Sequence, residues 1–143
     1  MSLTVDASVF MSANRANEIT HLDSFELIRR IDSENILIVC PSIVLTESAT
    51  AISRISGKFQ LAHNLLSDIR SIASLDLVSI TEDFARRAAV LGANLKLRGA
   101  DSIYVQCAID SGSTLITWDN EMLARAPSTI QTMTPVDWLA ANA

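Results

Sequence analysis

The sequence predicts an α/β protein in three layers: a central, mostly parallel sheet of four to five strands with helices on both faces. Three observations carry that expectation. Short apolar runs alternate along the chain with longer segments of helical period, the pattern of strand–helix–strand units. The run Ile36-Leu-Ile-Val-Cys40 is apolar and β-branched with no polar alternation, which suits a strand buried on both faces. The chain has 143 residues, 49% of them hydrophobic, which is enough apolar matter for one substantial core. Residues 1–143 therefore read as a single domain, and no repeat, low-complexity segment or linker interrupts them.

Taken in order, Leu3-Thr-Val5 is a short opening strand that stops at Asp6. Thr20 to Ile31 carries Leu22, Phe25, Ile28 and Ile31 every third residue, one face of a helix. After the Ile36–Cys40 strand, Pro41-Ser42 opens a helix to about Ile55 with an inward stripe of Val44, Leu45, Ala49 and Ile52, and Ser56-Gly57 breaks it. Leu61, Ala62, Leu65, Leu66, Ile69 and Ile72 mark another helix, and Asp76–Ile80 a third strand. Thr81 caps the next helix, with Glu82 and Asp83 in the first turn where the helix dipole favours anions, and Phe84, Ala88, Leu91 and Leu95 on its apolar face. Arg98-Gly99 precedes a helix that reaches Ser111-Gly112, with Asp101 where a cap would sit. Thr114–Thr117 is a fourth strand followed by Asp119, Ile130–Met133 a short last strand, and Pro135 to Ala140 a terminal helix with proline at its start.

Composition narrows the function. The net charge of −5 argues against bulk electrostatic wrapping of nucleic acid, which needs a basic footprint. It leaves room for a nucleic-acid enzyme whose acidic centre holds divalent cations. No apolar run approaches the roughly 20 residues that span a bilayer. The start lacks a basic region followed by an apolar one, so no secretory signal is expected and the chain reads as cytoplasmic. Cys40 and Cys107, far apart in apolar surroundings, read as buried free thiols, and without a Cys-x-x-Cys pair a zinc site of that type is not expected.

The acids can be placed by topology. Ligands of open parallel sheets sit off the carboxyl ends of the strands. Asp6 follows the first strand, Asp119 lies two residues past Thr117, and Glu47 lies in the first two turns of the helix that leaves the second strand. The helix feeding the fourth strand must run opposite to it, so its N-terminus, with Asp101, also starts at that rim. The Thr81–Leu95 helix starts at the same edge and leaves little chain for the return, so it is expected to lie obliquely. Singly, each acid has an ordinary explanation: a cap at Asp101, turns at Asp6 and Asp119-Asn120, a solvated face at Glu47. Together, four carboxylates on one rim raise one another's pKa unless cations neutralise them. Oxygen ligands without histidine suit Mg²⁺ or Mn²⁺, since His21 and His63 fall on helices elsewhere. Such a site points to phosphoester chemistry.

Val5-Asp6-Ala-Ser8, Pro41-Ser-Ile-Val-Leu-Thr-Glu47, Gly99-Ala-Asp101 opening a helix with Ala108, and Leu115-Ile-Thr-Trp-Asp119 occur in order, before a closing Thr-Pro-x-x-Trp-Leu segment. This set resembles the PIN domain, and most nearly the VapC-type toxin ribonucleases of toxin–antitoxin pairs. The resemblance spans essentially the whole chain. It implies a PIN-like fold, metal-binding and catalytic acids at Asp6, Glu47, Asp101 and Asp119, assisting hydroxyls at Ser8 and Thr117, and Glu121 as a further acid. Ser102 departs from the alanine common in relatives. The resemblance also implies an endoribonuclease using one or two Mg²⁺ or Mn²⁺ ions to direct water at an RNA phosphodiester, leaving a 5′-phosphate and a 3′-hydroxyl. Its implied partners are the RNA substrate, a cognate antitoxin and a second copy in a homodimer.

Arg15, Arg54, Lys58, Lys96 and Arg98 are candidates for RNA-backbone contact, since arginine suits bidentate binding of phosphate. Met11 and the apolar positions near Phe10 read as core. Two other small acidic α/β classes fit poorly. A receiver domain needs paired acids after its first strand and a late lysine, whereas Asp6 has no acidic neighbour and the only lysines are Lys58 and Lys96. A haloacid-dehalogenase phosphatase needs Asp-x-Asp, and Ser8 stands at the third place. The remaining alternative is a catalytically inactive PIN domain that binds protein or RNA without cutting.

Overall fold

The computed structural model describes residues 1–143, with five strands and eight helices. In chain order they are β1 (Ser2–Val5), α1 (Ala7–Ala13), α2 (His21–Ser33), β2 (Leu37–Pro41), α3 (Ile43–Ser56), α4 (Phe59–Arg70), β3 (Leu75–Val78), α5 (Glu82–Leu95), α6 (Gly99–Ser111), β4 (Thr114–Ile116), α7 (Asn120–Arg125), β5 (Thr132–Met133) and α8 (Pro135–Ala141). All strands are parallel, in the order β3-β2-β1-β4-β5. The α/β expectation holds, with five strands. No helix is long and apolar enough to cross a membrane.

The central strands are apolar on both faces, and Leu3, Val5, Ile38, Cys40, Leu115 and Ile116 are fully buried. Thr4, a polar residue in the middle of β1, is also buried and donates to the Val39 carbonyl at 2.8 Å. The chain steps from β1 outward to β2 and β3, then crosses back to β4 on the other side of β1 and on to β5. Right-handed crossovers then require the helices of the two excursions to lie on opposite faces. Accordingly α1, α2, α3 and α4 pack on one another, while α6 lies across β1, β2 and β4 with α5 outside it. The order reverses between β1 and β4, so a crevice opens at their carboxyl ends, where such folds bind ligands.

The return to α6 is solved by pairing. Phe84, in the first turn of α5, packs with Val39 and Cys107, and Gly92 abuts Ser102, so α5 runs antiparallel to α6 and climbs back to the rim. A β-carbon at Gly92 would stand 2.7 Å from Ser102 Cβ, closer than two helices tolerate. Gly92→Ala should therefore cost about 1–3 kcal/mol by overpacking, outweighing the roughly 1 kcal/mol that alanine gains in a helix interior. Urea unfolding checks it. Adding Ser102→Gly should restore stability, whereas adding Ser102→Ala, which keeps the β-carbon, should not.

Three local expectations are corrected. Only half of the α2 stripe faces inward: Ile31 is fully buried and Ile28 packs against the core, but Leu22 is 77% and Phe25 53% exposed, and Ser24 and Leu27 take their place. Ser24 is drawn inward because it accepts from Trp118 Nε1 at 2.8 Å and donates to Ser12 at 3.0 Å. Asp101 caps nothing: Arg98 holds the N-cap position of α6, and Asp101 sits in the first turn, still favoured by the helix dipole. The helices α1 and α7 have no counterpart in the sequence expectation. In α1, Ala7, Val9, Phe10, Ser12 and Ala13 are all buried, so no amphipathic period marks it.

Candidate functional site

The carboxyl edge between β1 and β4 carries a cleft of about 330 Å³ lined by Asp6, Glu47, Asp101 and Asp119, with Arg98 and Met11 beside them. All four acids expected on the rim line it. Asp6 leaves β1 at the level of Ile116, whose carbonyl accepts its N–H at 3.0 Å. Its side chain is held by two hydroxyls on the same oxygen: Ser8 and Thr117 donate to Oδ2 at 2.7 and 2.9 Å. No protein group donates to Oδ1. Those hydroxyls are fixed in turn, since Thr117 Oγ1 accepts from the Asp119 N–H at 2.9 Å and Ser8 Oγ from the Trp118 N–H at 3.3 Å. Both residues inferred to assist the site thus tie the end of β1 to the end of β4. Burial pushes the Asp6 carboxyl up to about 6, against the pull of the two hydroxyls, and the charges of Glu47 and Asp101 push it further.

Asp101, Asp119 and Glu121 each bring a carboxylate oxygen within 4.8 Å of the other two, so Glu121 does join the acids. Asp119 is the N-cap of α7, its Oδ1 accepting from Met122 N–H at 2.9 Å, which leaves Oδ2 for the cleft. Asp101 is buried, and desolvation raises its pKa although Arg98 opposes this. Arg98 Nε donates to Asp101 Oδ2 at 2.9 Å, its Nη2 binds Asp119 Oδ2, and Glu121 stands 3.6 Å away.

The other basic candidates lie outside the cleft. Arg15 is half-buried with Nε 3.0 Å from Glu18. Arg54 borders a neighbouring hollow with Ala51, which also lines the cleft, while Lys58 precedes α4 and Lys96 closes α5. His63 is exposed and His21 approaches the Ser12 carbonyl at 2.9 Å; neither enters the cleft. Cys40 and Cys107 are free and buried, as expected, and burial pushes their thiols up to about 12 and about 11.

Tyr104 has no place in the sequence expectation and lies beneath the acids. Its hydroxyl is fully buried, approaches Glu47 without forming a hydrogen bond and has no other partner. Desolvation raises its pKa, and the charges of Asp6 and Glu47 add to that. An unpaired buried hydroxyl costs about 1–3 kcal/mol. Tyr104→Phe should therefore leave the metal-free protein equally stable or up to that much more stable in urea unfolding. A clear loss would mean that the hydroxyl is bonded in solution.

The sequence matches the PIN domain family model over residues 3–128. The chain belongs to the PIN domain family. No curated protein matches it significantly. Among solved structures, this PIN domain is similar to PAE2754 from Pyrobaculum aerophilum, with a TM-score of 0.73 and 16% identity over 99% of this chain and 88% of that one. It is also similar to VapC20 from Mycobacterium tuberculosis, a sarcin–ricin-loop-cleaving toxin, with a TM-score of 0.70 and 17% identity over 90% of this chain and 98% of that one. A third similar structure is VapBC2 from Rickettsia felis bound to promoter DNA, with a TM-score of 0.68 and 19% identity over 94% of this chain and 98% of that one. At such identities the likeness is one of fold.

Proposed function

We propose that this PIN domain is a Mg²⁺- or Mn²⁺-dependent endoribonuclease, the toxin of a toxin–antitoxin pair. It acts in the cytoplasm as a homodimer and is silenced by a cognate antitoxin. The observation that carries the reading is the convergence of Asp6, Glu47, Asp101 and Asp119 on one cleft at the topological switch of the sheet. The toxin and antitoxin names of similar structures support the choice of partner.

The residues present fit a hard divalent ion. The donors are carboxylate oxygens with no histidine or cysteine among them, the set that suits Mg²⁺ or Mn²⁺. The buried Asp6 carboxyl, held up at about 6, has lost water without gaining a positive partner. In this reading Asp6, Glu47, Asp101 and Asp119 hold the cation, with Glu121 as a further ligand. Bound there, the ion supplies the positive charge that favours deprotonation of water and offsets charge on the departing oxygen. Ser8 and Thr117 keep Asp6 aimed at the cleft, and Arg98 is the basic group nearest to where a phosphate would lie. Arg15, Arg54, Lys58 and Lys96 are left as outer contacts along the RNA.

The test is incubation of the antitoxin-free protein with total RNA and Mg²⁺ or Mn²⁺, with EDTA as control. Discrete cleavage products ending in a 3′-hydroxyl, abolished by EDTA, are expected. Cleavage that persists in EDTA would remove the metal from the mechanism, and intact RNA across substrates would leave a binding module.

A further inference from the structure

We propose that Arg98 is a built-in substitute cation, forking across Asp101 and Asp119 when no divalent ion is bound, and that it must swing out for the ion to enter. This rests on reading the cleft as a metal centre. The fork and an ion claim the same atoms. Arg98 occupies Oδ2 of both aspartates, and the Oδ1 of Asp119 already accepts from Met122 N–H. Each oxygen keeps a second lone pair, but an ion that bridges the two aspartates with bonds of about 2.0–2.1 Å needs the space between them that the guanidinium fills. No other cation does this job, since Arg125 donates to the Lys96 carbonyl at 2.6 Å and among the acids reaches only Glu121, at 3.6 Å.

Arg98 is built to move. It lies before the first turn of α6, in extended backbone with φ −66° and ψ 157°, and its side chain is 64% exposed although its partner Asp101 is buried. The far side of the cleft lacks any such substitute. Asp6 Oδ1 takes no protein donor, and the buried Tyr104 hydroxyl beside Asp6 and Glu47 is unpartnered, so the site remains incomplete beyond Arg98's reach. Once released, the guanidinium stays at the mouth of the cleft, where its planar fork matches a backbone phosphate. Arrival of the cation and readiness to hold RNA are thereby joined in one side-chain movement.

The cost of the exchange shows as weakened apparent metal affinity, because an ion binds only the fraction of molecules in which the fork is open. Calorimetric titration of Mn²⁺ into the wild type, Arg98→Ala and Arg98→Lys tests it. Arg98→Ala should bind about tenfold more tightly, as expected if the fork is open about a tenth of the time. Arg98→Lys, which keeps the charge but cannot span both aspartates, should also gain affinity. Equal affinity in all three overturns the proposal. So does a lysine variant that matches the wild type while the alanine variant tightens, because bulk charge then explains the effect. No Mn²⁺ bound by any of them would instead bring down the metal-centre reading. In the wild type, the Arg98 Nε–H resonance should move to its free position in step with Mg²⁺ binding. A resonance that stays fixed while Mg²⁺ binds overturns the exchange.

Discussion

Asp6→Asn and Asp101→Asn should each reduce metal-dependent RNA cleavage by about 10³-fold or more while leaving the protein folded. Charge stabilisation by a bound ion is worth several kcal/mol, and each 1.36 kcal/mol is about tenfold in rate. An amide keeps the shape of the carboxylate but removes one of the few anions that hold the ion. The effect on stability should differ between the two sites. Asp6 is a buried anion with no cationic partner, so the neutral amide relieves a cost and Asp6→Asn should stabilise the metal-free protein near neutral pH. Asp101 is also buried with a raised pKa, but Arg98 offsets part of its cost, so Asp101→Asn should stabilise the metal-free protein less than Asp6→Asn does. Gel-based cleavage of total RNA, paired with urea unfolding of the same preparations, checks both halves. Undiminished cleavage in either folded variant would overturn the assignment.

The site was legible where a rule of topology stood in for distance. Asp6, Glu47, Asp101 and Asp119 come from four separate segments, yet parallel strands and the reversal of strand order bring their chain positions to one edge. What escaped the sequence depends on partners far along the chain. Ser24 looks like a solvent residue on α2 until Trp118, 94 residues later, donates into it, and that bond helps turn Leu22 and Phe25 outward. In the sequence Arg98 is one of five candidate phosphate contacts, because nothing in a lone arginine before a glycine reveals that two aspartates wait within its reach. Tyr104 stands in an apolar helix stretch, where an unpaired hydroxyl is a fact of packing and leaves no periodic trace. The helix α1 failed for the reverse reason, being so thoroughly enclosed that it shows no polar face.

The stability of the metal-free protein should fall as pH rises from about 4 to about 6, and a divalent ion should flatten or reverse that slope. Asp6 titrates near 3.8 in the unfolded chain and near about 6 in the folded protein. Well below pH 3.8 both states are protonated and the group contributes nothing. Between the two values the unfolded chain releases its proton first, the native state binds more protons, and stability declines with pH. Above about pH 6 the loss is complete and amounts to about 3 kcal/mol. Asp101, whose pKa burial also raises, adds to the same slope. A bound cation inverts the preference by favouring the charged carboxylates, and at a hundred times its dissociation constant it returns about 2.7 kcal/mol. Urea unfolding from pH 4 to 7.5, in EDTA and in Mn²⁺, measures both effects, with Asp6→Asn as the reference in which most of the slope should vanish. A slope in EDTA that survives unchanged in Asp6→Asn would mean that Asp6 is ionised at no cost in solution. The cleft would then already be neutralised or hydrated around it, and the main physical reason for a cation at that position would be gone.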